Sequence, residues 1–210
     1  MKRALALTAV ALTATLAVAA CGGDDTRSST ADSTTSSKAQ AGAAGTPAAG
    51  EQNDADVMFA QGMIPHHAQA VEMSDLVLGK DGVDPAVQEL ARDIKAAQAP
   101  EIEQMTGWLL GWGEDVPGTA GAGAMDGMDH GGMDMPGMMS DEDMASLEDA
   151  SGEQASQLFL EQMIEHHRGA IEMAEGELDG GRNEDAKELA QQIIDAQESE
   201  ITAMTQLLGS

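Results

Sequence analysis

The chain is poor in residues that build several common classes of protein. It has no tyrosine, two phenylalanines, two tryptophans and one cysteine among 210 residues. A single cysteine excludes a disulfide within the chain. Runs of alternating β-branched and aromatic residues are also missing, so the sequence predicts no β-strand. We find no phosphate-binding loop, nucleotide motif or activated nucleophile, and therefore no pattern typical of a kinase or a hydrolase.

Basic residues are scarce as well. Ten Lys and Arg stand against 37 Asp and Glu, which gives a formal net charge of −27. Lys2 and Arg3 open an apolar N-terminal segment, and its removal would leave 8 basic and 37 acidic residues, a net charge of −29. A chain of this charge repels nucleic acid and anionic surfaces and attracts cations. We therefore expect metal ions, and not nucleic acid, as partners.

Residues 1–20 have the pattern of a signal peptide, with a positive start and a short apolar stretch. The residues before Cys21 resemble a bacterial lipobox, in which the signal is cut before the cysteine and the cysteine is lipidated. The alternative is an ordinary signal peptide with an incidental cysteine. Residues 21–53 are rich in Ser, Thr, Ala and Gly and predict a flexible disordered tether. We expect an exported lipoprotein, anchored by Cys21 to the outer face of the cell membrane, or in the periplasm.

The rest of the chain contains an internal repeat of about fifty residues. The first block of each copy pairs Phe59 with Phe159, Met63 with Met163, His66 with His166, His67 with His167, Ala70 with Ala170, and Met73 with Met173. The second block follows a one-residue shift and pairs Gln98 with Gln197, Glu101 with Glu200, and Met105 with Met204. Four of the five histidines therefore lie at repeated positions.

Helical periodicity and capping residues predict an all-α domain over residues 54–210. The predicted helices span residues 54–78, 85–110, 141–180, and 184 to near the C-terminus, with Asp84, Ser140 and Asn183 as caps. They form two helical hairpins, 54–113 and 141–210, joined by a Met- and Gly-rich loop at 114–140. Because neither hairpin can cover its own apolar face, we expect the two to pack as a four-helix bundle.

The repeated histidines fall on the apolar faces of their helices. At about 100° per residue, the first helix collects its histidines and apolar residues within an arc of about 120°, with Glu72 on the opposite side. On the second helix, Glu101 shares one face with Leu90, Ile94, Ala97, Met105 and Trp108, and Gln98 lies at its edge. Glu200 and Gln197 repeat this on the fourth helix. A buried carboxylate is costly unless it is paired or bound to metal.

This core offers imidazole, thioether and carboxylate groups for a metal. Imidazole suits Cu, Zn, Fe and Ni, whereas thioether selects soft Cu(I) or Ag(I). The candidate ligands are His66, His67, Met63, Met73, His166, His167, Met163 and Met173, together with Glu101 and Glu200. The alternative is a metal-free polar core in which the two glutamates form hydrogen-bonded pairs with histidines. The sequence leaves open which histidine each glutamate would meet.

Residues 125–139 hold six methionines and the fifth histidine, in a segment without helical periodicity. Thioether sulfur binds soft monovalent copper under conditions in which thiols would be oxidised. The candidate ligands here are Met125, Met128, His130, Met133, Met135, Met138 and Met139. The alternative is a disordered linker that absorbs oxidants or is merely acidic.

The pattern Phe-x3-Met-Ile-x-His-His-x2-Ala-x-Glu-Met, followed by Ala-Gln-x2-Glu-Ile-x2-Met, resembles a bacterial domain-of-unknown-function family, number three-zero-five. The resemblance covers about residues 54–208, without the methionine loop. It implies a ferritin-like four-helix bundle, often exported, with CopM-like copper-binding proteins among its members. It also implies copper resistance through Met and His ligands, at the repeated methionines and histidines named above.

Our leading expectation is an envelope protein that binds Cu(I), and also Ag(I) or Cu(II), for buffering, resistance or delivery, without catalysis. A protein that receives the copper is then a candidate partner. One alternative is a ferritin-like di-metal oxidase using iron, although that class normally supplies carboxylates from all four helices. The other is a metal-free helical adaptor or sensor domain.

Overall fold

The computed structural model describes residues 51–118 and 135–209, and within these ranges the chain forms five helices and no β-strand. The helices are α1 (Asp54–Leu78), α2 (Pro85–Trp112), α3 (Asp141–Asp149), α4 (Gly152–Gly180) and α5 (Glu184–Leu208). The prediction of an all-α, ferritin-like four-helix bundle built from two hairpins is confirmed, with α1–α2 and α4–α5 as the hairpins. Of the helices in the described part, none is long and apolar enough to cross a membrane.

Several predicted features lie outside the described residues. They are the signal peptide at 1–20, Cys21, most of the tether at 21–53, and the loop residues Met125, Met128, His130 and Met133.

The ends of the helices follow from their capping residues. Asn53 accepts hydrogen bonds from the N–H groups of Ala55 and Asp56 and opens α1. Asp84 caps α2 with Pro85 at the first helical position, and Asn183 caps α5, as predicted. α2 runs two residues further than predicted, because the chain turns at Gly113, whose φ of 80° is left-handed.

The predicted third helix is in fact two helices, so that prediction was wrong. The capping box of Ser140 and Asp143 opens α3 as expected, but this helix ends at Asp149 and α4 begins at Gly152. Ala150 takes an extended conformation between them and is buried with Leu147 in the core. The break lets the short α3 fold back onto α1 and α4 and bury Leu147, a tertiary contact that local sequence does not encode.

The two copies of the repeat pack against each other through α1 and α4, which run antiparallel. α1 packs against α2 and α4, and α4 packs against α5, whereas α2 and α5 touch each other little. One hydrophobic cluster joins Met73 and Val77 of α1 to Phe159 and Met163 of α4. A second cluster joins the other ends of these helices, with Phe59 and Met63 meeting Ala170 and Ala174. Each fully buried large side chain stabilises the fold by about 1.5–3 kcal/mol.

The buried face of α2 is narrower than predicted. Ala97 is exposed and Leu90 and Trp108 are only partly buried, whereas Gln98 is buried. α5 repeats this with a buried Gln197. The reason is that α2 and α5 hardly meet, so each covers only the central helix of its own hairpin.

A pair of carboxyl groups lies at one end of the bundle, between the start of α1 and the turn from α4 to α5. Asp56 accepts hydrogen bonds from the backbone N–H groups of Arg182 and Asn183. Burial would raise the pKa of Asp56, but these bonds and one from Asn53 lower it below its usual range. Burial, followed by interaction with Asp56, raises the pKa of Glu177 to about 8. Glu177 is therefore a neutral acid beside a carboxylate at neutral pH.

Candidate metal centre

The two histidine pairs meet at the middle of the bundle, between the two hydrophobic clusters. His66 and His67 on α1, and His166 and His167 on α4, are all fully buried. The ring centroids of His66 and His166 lie 3.8 Å apart, with the ring planes inclined by 41°. The repeated spacing therefore brings both pairs into one interior cluster, here called the histidine cluster.

The two central imidazoles are uncharged at neutral pH. Burial, followed by the neighbouring His67, lowers the pKa of His66 to about 3. Burial also lowers the pKa of His166 well below its usual value, with smaller contributions from His66 and His167. A neutral imidazole carries one N–H and one bare nitrogen lone pair. These two rings thus offer lone pairs without first having to lose protons.

Each of the other two histidines is hydrogen-bonded to a glutamate. The Nε2 of His67 lies 2.7 Å from Glu101 Oε2, and the Nε2 of His167 lies 2.6 Å from Glu200 Oε2. The Glu101 and Glu200 side chains keep 21% and 20% of their surface exposed, so they face the histidine cluster on one side and solvent on the other. These pairs match the metal-free alternative that the sequence left open, and they identify the partner of each glutamate.

Many polar atoms around the cluster are buried without a partner. The Nδ1 atoms of all four imidazoles, and the Nε2 of His166, have no hydrogen-bond partner among the described residues. The same holds for both amide atoms of Gln98 and for the Oε1 of Gln197, one turn from the glutamates. Each such atom costs about 1–3 kcal/mol, and native proteins keep few of them. Their concentration here fits a site that a bound ion or water completes.

Thioethers flank the histidine cluster on both sides. Met63, Met73 and Met163 are fully buried and Met173 is partly buried. Met63 shares its hydrophobic cluster with Met173 of the other copy, and Met73 shares the opposite one with Met163. Two further methionines, Met105 and Met204, are fully buried in these same clusters. They occupy matching positions in the repeat and were not among the predicted ligands.

The C-terminal end of the methionine loop lies directly over the histidine cluster. We call residues 135–139 the strap. The backbone N–H and carbonyl of Met139 both bond to the Gln69 amide, at 2.8 and 2.9 Å. The carbonyl of Pro136 accepts a hydrogen bond from His66 Nε2 at 3.0 Å. Pro136 and Gly137 cross α4 at Gly169, where a Cβ would lie 1.9 Å from the Pro136 oxygen.

The strap corrects one part of the loop prediction. Met139 was expected in a flexible ligand-bearing segment, but it is 8% exposed and packs in the hydrophobic core with Leu147 and Phe159. Its burial depends on Gln69, which lies on another element and satisfies its backbone. Met135 and Met138 are partly buried in the strap.

Glu101 and Glu200 are each paired with one histidine and are not grouped with several possible ligands among the described residues. In residues 51–118 and 135–209, no three His, Cys, Asp or Glu side chains are grouped so that they could hold a metal ion. Glu101 and Glu200 lie on the Nε2 side of their histidines, whereas the unpartnered nitrogens are Nδ1. At the centre two imidazoles, His66 and His166, are in contact, and the buried thioethers lie in the hydrophobic clusters on either side.

Comparison with known proteins gives the family. A family model described as "Domain of unknown function (DUF305)" matches residues 56–208. The crystal structure of a DUF305 protein from Streptomyces coelicolor is 38% identical, covers 74% of this chain and 91% of that chain, and has a TM-score of 0.64. CopM in its Cu(II)-bound form is 30% identical, covers 73% of this chain and 95% of its own, and has a TM-score of 0.60.

Two further similarities complete the comparison. CopM has also been solved in a Cu(I)-bound form and, by co-crystallization, in an Ag-bound form. The chain in each of these two structures is 29% identical to this chain. An uncharacterized protein, L153 of Acanthamoeba polyphaga mimivirus, is 39% identical over 54 residues, which is 26% of this chain and 35% of the viral protein. The match thus spans about a third of the viral relative. With the family model covering most of the chain, the protein belongs to the DUF305 family.

Proposed function

We propose that this protein is a cell-envelope lipoprotein that binds copper in the histidine cluster, chiefly as Cu(I) and also as Cu(II), with Ag(I) as a mimic. Its role is buffering, resistance or delivery, and it turns over no substrate. The observation that carries the proposal is the contact between two neutral imidazoles, His66 and His166, whose Nδ1 atoms have no partner among the described residues. Unpaired lone pairs in a dry interior are costly unless a ligand uses them.

The neutral state of His66 favours metal binding at the histidine cluster. A metal takes the neutral form of imidazole, and at most sites binding must first release a proton. Burial keeps the pKa of His66 near 3, so this nitrogen is ready at neutral pH. At any pH between 5 and 8, a range that lies above the pKa of His66, this ring should therefore need to release no proton before copper binds.

The flanking thioethers direct the choice of metal toward copper and silver. Soft sulfur ligands select Cu(I), while imidazole accepts copper in both oxidation states. Met63, Met73, Met163 and Met173 lie on the buried helical faces that carry the histidines. The likeness to CopM, which has been solved with Cu(I), Cu(II) and Ag, supports this choice.

The methionine loop adds a second copper pool in this proposal. Met125, Met128, His130 and Met133 would bind copper together with Met135 and Met138, which lie in the strap. Met139 is left out, because its side chain is committed to the core. The strap links this pool to the histidine cluster, since Pro136 bonds directly to His66.

Titration distinguishes this proposal from the alternatives. The mature protein is titrated with Cu(I) against a competing chelator, and then with Fe(II) and oxygen while oxygen consumption is followed. Tight copper uptake without oxygen consumption is the expected result. Oxygen consumption coupled to iron would instead identify a ferritin-like oxidase. No uptake of either metal would leave a metal-free bundle, which the complete His67–Glu101 and His167–Glu200 pairs favour.

Substitutions separate the two copper pools. Replacing Met125, Met128 and Met133 together by leucine should lower the copper stoichiometry and leave the thermal stability unchanged. The histidine cluster should keep its copper in that variant. If the stoichiometry does not fall, the loop binds no copper.

The lipid anchor has its own test. Cys21→Ser should release the protein from the membrane fraction of expressing cells, and globomycin, which blocks lipoprotein signal cleavage, should make the wild type accumulate uncut. Retention of Cys21→Ser in the membrane fraction would refute the anchor.

A further inference from the structure

The hydrogen bonds of the histidine cluster fix which nitrogen of each ring carries its proton. An ionised carboxylate can only accept hydrogen bonds. Glu101 and Glu200 therefore require His67 and His167 to donate through Nε2–H. The Pro136 carbonyl is also an acceptor only, and it imposes the same choice on His66. In their neutral forms, three of the four rings then carry their lone pair on Nδ1.

All three of those Nδ1 atoms are buried, and none has a partner among the described residues. A histidine that is structural only would normally satisfy both ring nitrogens when buried. Here one side of each ring is satisfied by a carboxylate or carbonyl and the other side is bare. That is the arrangement of a metal-binding histidine, which donates its second N–H to a carboxylate or a backbone carbonyl.

From this geometry we infer that Glu101 and Glu200 are positioning residues: each holds its histidine as the Nε2–H tautomer, so that the metal is taken by Nδ1 and neither glutamate is a ligand. The inference rests on the proposed function and assigns roles within that site. It replaces the sequence-based expectation that both carboxylates bind the metal directly.

The placement of the glutamates suits this role energetically. Each carboxylate keeps about a fifth of its surface in solvent, so a charge there carries less than the full cost of burial. A cation at Nδ1 would lie on the far side of the ring from that charge, and the hydrogen bond raises the basicity of the ligand nitrogen. The two pairs occupy equivalent positions in the repeat, so both halves of the site are prepared in the same way.

His166 differs from the other three. Neither of its ring nitrogens makes a well-aligned hydrogen bond with a described residue, although the His66 backbone lies close enough to raise its pKa slightly. It contacts His66 with the ring centroids 3.8 Å apart and the ring planes tilted by 41°. We expect His166 to be the ring that reorients when metal enters, while His67 and His167 stay in place.

The test reads the tautomers directly. Long-range ¹H–¹⁵N NMR of the ¹⁵N-labelled mature protein, before and after addition of Ag(I), distinguishes protonated, bare and metal-bound ring nitrogens. In the metal-free protein we expect Nε2 to be protonated and Nδ1 bare in both His67 and His167. Ag(I) should shift Nδ1 of these rings and leave Nε2 protonated. Metal-induced loss of the Nε2 proton, or the opposite tautomer before metal, would overturn the inference.

Variants test the consequence for affinity. Glu101→Gln and Glu200→Gln keep the side-chain size but remove the charge, and an amide can meet the ring with either its oxygen or its NH₂. We expect mixed tautomers at the paired histidine and a loss of Cu(I) affinity of about 10–100-fold. The matched controls Glu103→Gln and Glu198→Gln change exposed residues on the same two helices. They should change neither the histidine tautomers nor the Cu(I) affinity.

The outcomes are distinguishable from failure of the proposed function. Affinity in Glu101→Gln and Glu200→Gln equal to that of the wild type contradicts a positioning role. If a variant does not fold, the NMR of the wild type still decides the tautomers and the ligand nitrogens. If the wild type binds neither Cu(I) nor Ag(I), the proposed function fails, and with it the metal role inferred here.

Discussion

Replacing Gly169 by alanine tests whether the strap is seated on α4 over the histidine cluster. A Cβ at this position would lie 1.9 Å from the Pro136 oxygen and 2.7 Å from the Gly137 Cα, whereas Cβ contacts under 3.0 Å are essentially never found. Because both neighbours are backbone, the strap must move by about 1 Å. Such a shift breaks the 3.0 Å hydrogen bond from His66 to Pro136.

Gly176→Ala is a matched control for the change in unfolding free energy expected in Gly169→Ala. Alanine in a helix interior is normally better than glycine by about 1 kcal/mol. Gly176 is an exposed position on the same helix, and a Cβ there meets nothing within 4 Å. Gly176→Ala should therefore raise the unfolding free energy by up to about 1 kcal/mol. Gly169→Ala should instead lower it by about 1–3 kcal/mol, the usual range for overpacking.

The assay is urea unfolding of both variants and the wild type, followed by far-ultraviolet circular dichroism. A second readout is the Nε2 proton of His66, which should exchange faster with solvent in Gly169→Ala than in Gly176→Ala. If Gly169→Ala gains stability as Gly176→Ala does, the strap does not lie on α4 and the account of the loop end is wrong.

Two further predictions concern the carboxyl pair and the core methionine of the strap. Native Glu177 keeps its proton up to about pH 8, while the unfolded chain releases it near 4.5, so between these values the native state holds the extra proton. Stability should then fall as pH rises through this range, by up to about 1.4 kcal/mol per pH unit. Asp56, whose pKa is lowered from 3.8, opposes this only at lower pH. In thermal melts, Glu177→Gln should lose this fall of stability with rising pH, whereas the exposed control Glu175→Gln should keep it. An equal pH dependence of stability in the two variants would contradict the buried pair. Met139→Ala should cost about 2–5 kcal/mol in urea unfolding because it leaves a cavity in the core, yet the copper stoichiometry should stay the same. A stability change below about 1 kcal/mol would mean that Met139 does not pack in the core.

Much of the fold was predictable because its information is local. Periodicity and the caps at Asp84, Ser140 and Asn183 gave helix ends within a few residues. The convergence of the histidines followed from the repeat, since equivalent faces of two similar hairpins meet across a pseudo-two-fold axis. The break between α3 and α4 could not be predicted from local sequence, because it depends on Leu147 of α3 packing in the core.

The parts of the site that were missed depend on contacts between distant residues. Gln69 and Gly169 occupy equivalent positions in the two copies. The Gln69 amide forms hydrogen bonds to the backbone of the strap, whereas Gly169 has no side chain and lets the strap lie against α4. Nothing in either hairpin alone indicates that a third segment lies across both. The pairing of His67 with Glu101 likewise spans 34 residues between two helices and requires their relative rotation.

The most direct test compares the wild type with the double variant His66→Ala/His166→Ala. Cu(I) competition titration measures how much copper each protein binds, and X-ray absorption at the copper edge identifies the neighbours of the bound copper. The account predicts both nitrogen and sulfur neighbours around copper in the wild type. In the double variant it predicts loss of the tightest copper and fewer nitrogen neighbours, with copper remaining in the loop, bound mainly by sulfur. The control His130→Ala should keep the tightest copper. Unchanged stoichiometry and unchanged nitrogen scattering in the double variant would contradict a copper site at the meeting point of the two histidine pairs.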